Sequence, residues 1–140
     1  REVMPTGKTK DAGWQIGVSI TVHRPATEVW DWLVSREGLE TWLGHEIEFA
    51  GEKGERYESE EGTRGELRSF NPLDRIRLTW QPPDWPHDST VQVAIDDKGD
   101  RTRVVFHQER LVDAGERARQ RDHWKAISAE VASHFATEEP

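Results

Sequence analysis

Between Trp14 and Val22 apolar side chains occupy every second position, Trp14, Ile16, Val18, Ile20 and Val22, with Gln15, Gly17, Ser19 and Thr21 between them. A period of two is that of a strand with one face in a core. Pro25 ends the run, and a proline fits the first turn of a helix, where its missing N–H has no partner to lose. A short helix is expected from there to about Val34, with Val29, Trp30 and Leu33 on one face. Ser35 is a good N-cap for a second short helix through Leu43, whose apolar side is Leu39, Trp42 and Leu43.

From Glu46 to Glu109 the period returns to two, broken by turn residues. Residues 47–50 and 56–60 are expected as short, charged, edge-like strands around the loop 51–54. Residues 65–70 and 75–80 flank Asn71-Pro72-Leu73-Asp74 and are expected as a hairpin. In its second strand Ile76, Leu78 and Trp80 share one face, and Arg75, Arg77 and Thr79 the other. Residues 81–87 carry three prolines and Trp85, so they form a loop. Residues 89–95 and 102–109 are expected as the last hairpin across 96–100. The longest helical pattern is 116–136, in which Trp124, Ile127, Val131 and Phe135 make one stripe. Arg117, Arg121, Lys125 and Glu130 lie opposite it as a solvated face.

A long helix with one apolar stripe must bury it, and one face of the antiparallel sheet is the apolar surface on offer. A twisted sheet and a straight helix do not touch along their whole length, so the order of elements implies a gap that serves as a ligand cavity.

The length of 140 residues suits one domain, placed at 14–136 with tails at 1–13 and 137–140. A net charge of −8 argues against nucleic acid as a partner. The absence of cysteine excludes disulfides, thiolate metal sites and a Cys nucleophile. No apolar run reaches the roughly 20 residues of a membrane span, so no membrane partner and a cytoplasmic location are expected. Only 34% of residues are hydrophobic, yet seven Trp and four Phe supply enough area for a small aromatic core.

The run from Val18 to Trp32, VSITVHRPATEVWDW, resembles the opening strand and "P-x-x-x-VW" helix of the START-like superfamily, in particular the branch of activators of the Hsp90 ATPase. GELRSFNPLDRIRLTW, from Gly65 to Trp80, is similar to that branch's hairpin, with Pro72, Leu78, Thr79 and Trp80 in register. TRVVF, from Thr102 to Phe106, and the second helix around Gly38 and Trp42 fit as well, while His123-Trp124 stands where Gly-Trp is usual. The resemblance implies an α+β helix-grip fold, in which a curved antiparallel sheet of six to seven strands grips a long C-terminal helix, with two short helices after the first strand. It also implies a possible chaperone partner or self-association through the sheet, in a stress-response setting.

Around the expected gap stand Trp42, Phe49, Phe70, Trp80, Phe106, Gln108, His123, Trp124, Ile127 and Val131. They are the candidate ligand-binding residues, with Gln108 or His123 as polar anchor and no cofactor. The six His, at 23, 45, 87, 107, 123 and 134, lack metal-ligand spacing. No catalytic motif occurs, and the loop 51–54 is flanked by Glu48, Glu52 and Glu55, which repel phosphate. The function expected is non-enzymatic binding of a small hydrophobic or aromatic molecule. The alternatives are an Hsp90 co-chaperone-like interaction domain and a cyclase-like enzyme using the same cavity. An exposed Trp85 in the Pro-rich loop is a candidate partner contact or lid.

Overall fold

The computed structural model describes residues 8–9 and 13–137; the remainder of both expected tails lies outside the described residues. The elements are β1 (Lys8–Thr9), β2 (Gly13–Val22), α1 (Ala26–Leu33), α2 (Arg36–Trp42), β3 (Arg56–Glu58), β4 (Arg64–Asn71), β5 (Arg75–Trp80), β6 (Ser89–Asp97), β7 (Thr102–Leu111) and α3 (Ala114–Thr137). Seven strands form one antiparallel sheet in the order β1-β2-β7-β6-β5-β4-β3. The helix-grip architecture that the resemblance implies is the one observed, with α3 packed on the β2 and β7 side.

Register sets what the helix meets. Val18 faces Phe106, Phe106 faces Val93, Val93 faces Ile76 and Ile76 faces Phe70, so one row crosses five strands. The next inward row is Ile16, Gln108, Val91, Leu78 and Leu67. Gln108 is the one polar side chain in it, and it is fully buried. On α3 the stripe Trp124, Ile127, Val131 and Phe135 is buried as its spacing requires. Glu116 and Gln120 continue the stripe toward the helix start and are buried as well, so polarity hid its first two turns from the sequence pattern.

Pro25 is the N-cap of α1 rather than its first helical residue. Ser35 caps α2 as expected, its Oγ accepting the Gly38 N–H at 3.1 Å. Residues 47–50 do not form the expected strand. The reason is local: the Glu55 carboxylate accepts the amides of Ala50, Gly51 and Glu52 at 2.9–3.1 Å, which curls the segment into a loop instead of offering it to a neighbouring strand. The same amides hold the Glu55 carboxyl below its ordinary pKa. The loop that a phosphate would have used is therefore already occupied by a carboxylate of the chain.

Candidate functional site

Between sheet and helix the expected gap is filled by side chains. The Trp124 ring stacks on Phe106 with centroids 5.2 Å apart and an interplanar angle of 14°, and neither residue is exposed to solvent. Val131 is equally buried beside them. Gln108 spends its whole amide within the core. Its Nε2 donates to Ser89 Oγ at 2.9 Å, and its Oε1 accepts from Gln120 Nε2 at 2.9 Å and from Trp124 Nε1 at 2.8 Å. The polar anchor proposed for a ligand is thus satisfied by the protein. Replacing Gln108 with leucine leaves the Gln120 and Trp124 donors unpaired in a dry interior, and a loss of about 2–3 kcal/mol is expected in urea unfolding.

Two more of the ten residues lie elsewhere. Phe49 meets the edge of Tyr57 at 5.7 Å and lines a separate surface groove beside α2. Phe70 packs edge-on against Trp30 at 5.8 Å. Trp85 is not the exposed residue expected: it is half-buried, edge-on to Trp80 at 5.3 Å and stacked on His87 at 4.9 Å. His87 in turn meets the buried Glu116 carboxylate at 3.0 Å, which fastens the Pro-rich loop to the start of α3.

At the mouth of the grip, between the end of α2, the β3–β4 turn and α3, lies a cleft of about 220 Å³, smaller than the charged surface grooves of about 440 Å³ along β3–β5 and about 580 Å³ across β4–β7 but walled by aromatic rings. Trp42, Trp80, His123 and Ile127 of the predicted set line it, joined by His45 and Glu61. They come from α2, β5, α3, the loop after α2 and the β3–β4 turn. Trp42 is locked by its Nε1 donating to Leu33 O at 2.9 Å. Trp80 ends β5, and its buried indole N–H has no hydrogen-bond partner. The His123 ring lies 4.7 Å from that of Trp124 and 5.8 Å from that of Trp80, and burial of this edge lowers its pKa while the residue as a whole stays exposed.

His45 and Glu61 are brought together by a clasp between a loop and a turn. The Glu60 N–H donates to His45 O at 2.8 Å, and the His45 N–H donates to Glu61 Oε1 at 3.0 Å. The His45 Nδ1 meets the other carboxylate oxygen, Glu61 Oε2. Gly44 permits the approach: a Cβ there would lie 2.6 Å from Ser59 Cβ, and its φ of +151° is one L side chains rarely adopt. The hydrogen bonds from the His45 amide and ring hold the Glu61 carboxyl down to about 2. Reciprocally, the bond to Glu61 raises the His45 pKa. No sequence signal marks this pair, because the partners are 16 residues apart in a loop and a turn with no period to relate them. Among the described residues no group of three or more His, Asp or Glu is arranged to hold a metal ion.

With the fold and cleft in view, the comparisons agree on the class. The family model described as activator of Hsp90 ATPase homolog 1-like protein matches residues 23–136. The chain belongs to this family. No curated protein matches it. Among solved structures, CalU16 from Micromonospora echinospora superposes with a TM-score of 0.78 at 16% identity, over 95% of this chain and 82% of that one. DynU16, from the dynemicin biosynthetic locus, gives 0.74 at 18% identity, over 90% of this chain but only 48% of its own, so this chain spans about half of it. The Aha1 dimer from Colwellia psychrerythraea gives 0.70 at 14% identity, over 86% of this chain and 95% of that one. Likeness at these identities is a likeness of fold. Among the described residues no helix is long and apolar enough to cross a membrane.

Proposed function

We propose that the chain binds a small, flat, hydrophobic molecule in the mouth cleft rather than in the core of the grip. The observation that carries this reading is an opening walled by the rings of Trp42, Trp80 and His123 and by Ile127, with the Trp80 indole N–H buried behind its surface and without a partner. An unpaired buried donor costs free energy until an acceptor meets it, so a guest that carries a carbonyl on an aromatic body, and displaces the side chains covering that N–H, gains a hydrogen bond there. Drug-sized ligands occupy pockets of roughly 300–1,000 Å³. A cleft of about 220 Å³ therefore suits a one- or two-ring molecule.

Intrinsic fluorescence tests this directly, because Trp42 and Trp80 line the cleft. Titration with 2-indanone is expected to give a saturable change in emission, weakened roughly 3- to 10-fold by Trp80→Phe, which keeps a ring but removes the donor. The same variant is expected to stay folded, the removal of an unsatisfied polar group offsetting part of the packing that the smaller ring loses on Trp85, His123 and Trp124. A folded wild-type chain with no saturable response to 2-indanone at millimolar concentration would reject the reading.

A further inference from the structure

We infer that this cleft also moves protons on the molecule it holds, with His123 as general base and His45 as general acid toward an enolisable aromatic ketone. The inference rests on the binding reading above and adds chemistry to it.

The geometry is that of two imidazoles on one cleft, each prepared differently. His45 comes from the loop after α2, and His123 from α3. Glu61 grips His45 at two points, the backbone N–H and the ring Nδ1. A carboxylate is an acceptor, so Nδ1 carries the hydrogen in that contact and Nε2 is left as the working nitrogen. Glu61 is thus a positioning residue: it fixes the ring and favours its charged form. His123 is held by aromatic contacts instead, and among the described residues neither of its ring nitrogens has a hydrogen-bond partner. One ring is braced by an anion and the other rests one edge on the rings of Trp80 and Trp124, an arrangement that separates an acid from a base of the same residue type.

The charged groups acting on each ring agree with these roles. Around His45 they are Glu61, Glu40 and Glu60, all acidic, and all favour the imidazolium. On His123 no charged group acts, and loss of solvent alone disfavours its charged form. The two rings are thus shifted in opposite directions, His45 toward its charged form and His123 toward its neutral one.

The step balances without a co-reactant. A His123 ring nitrogen takes the proton from the carbon beside the ketone, the C–H electron pair becomes the C=C bond of the enol, and the carbonyl π pair takes the proton of His45 Nε2. One proton is accepted and one is given. In reverse, His123 returns a proton to carbon and His45 recovers its own from the enol oxygen. In D₂O the proton held by His123 exchanges before it returns, so turnover writes deuterium into the substrate.

The test is the loss of the methylene signal of 2-indanone in D₂O, followed by proton NMR against protein-free buffer, with binding measured in parallel by tryptophan fluorescence. Exchange is expected to accelerate saturably with protein. His123→Ala and His45→Ala should each lower the protein-dependent rate by about 100-fold, the scale of general acid–base catalysis. The rate should be bell-shaped in pH: it falls on the acid side as His123 protonates and on the alkaline side as His45 loses its proton. Glu61→Gln should move the alkaline limb to lower pH and leave the acid limb in place, which a purely structural role for Glu61 does not do. Binding of 2-indanone with exchange no faster than buffer overturns the proton transfer and leaves the binding reading intact. Exchange that survives both histidine replacements overturns it too. Absence of binding overturns both readings at once.

Discussion

Trp124→Ala is expected to lower the free energy of unfolding by about 3–5 kcal/mol, the range for large aromatic to alanine changes in a core. In a chain of this size that is a fall of roughly 10–20 °C in melting temperature. The magnitude follows from what the ring does. Trp124 is fully buried, its face covers Phe106 at 5.2 Å, and its N–H satisfies Gln108 Oε1 at 2.8 Å. Truncation therefore opens a void in the middle of the grip and removes one of the two donors that Gln108 Oε1 receives. The void has the shape and hydrogen-bonding pattern of the ring that left it. Indole at millimolar concentration is expected to restore part of the lost stability of the variant and to leave the wild-type melting temperature nearly unchanged. Calorimetry with and without indole checks both halves. A variant within 1 kcal/mol of wild type would mean that Trp124 does not fill the grip, and the cavity between helix and sheet would have to be taken as open.

That void also marks where reading the sequence stops short of the structure. Alternation along β2 and the stripe on α3 follow from one-dimensional periods, and both are visible in the chain before any folding is considered. The phase of β7 likewise places Gln108 inward. Whether inward residues line a cavity or fill it is a question of summed volumes, and Trp124, Phe106 and Val131 have the same spacing in either case. Gln120 and Glu116 escape the pattern for the opposite reason: a polar letter breaks an apolar stripe in sequence, although in space Gln120 completes the hydrogen bonds of Gln108. The pairing of His45 with Glu61 depends on a loop meeting a turn, which no local period encodes. Residues 47–50 alternate well enough for a strand, but a single downstream carboxylate captures the amides and decides otherwise. Family likeness supplied the architecture, and the solved relatives at 14–18% identity share that architecture while leaving the cleft to be argued from this chain's own side chains.

The other large effect expected is at Gly38, and its cause is backbone geometry rather than lost contacts. A Cβ at this position would lie 1.8 Å from Trp32 O, 2.7 Å from Trp32 C and 3.0 Å from Leu33 Cα. The obstacle cannot swing aside, because Trp32 O is already held by the Ser35 N–H at 3.1 Å and the Ser35 hydroxyl at 2.6 Å in the tight turn between α1 and α2. Gly38→Ala must push the two helices apart by roughly an ångström, and displacement on that scale in a packed core costs several kcal/mol. A loss of about 3–5 kcal/mol or failure to fold is expected in urea unfolding. Gly54→Ala is the control: its Cβ would meet nothing within 4 Å, and its φ of +90° carries a backbone cost alone, expected at about 1 kcal/mol. A loss at Gly38 no larger than that at Gly54 would mean that the approach of α2 to α1 does not require the glycine, since Gly38 has the ordinary backbone of a helix. The difference bears on the cleft as well, because Trp42 reaches back from α2 to Leu33 O across this same contact. A Gly38→Ala chain that still folds should bind 2-indanone more weakly, since the separation that accommodates one methyl group moves a wall of the cleft.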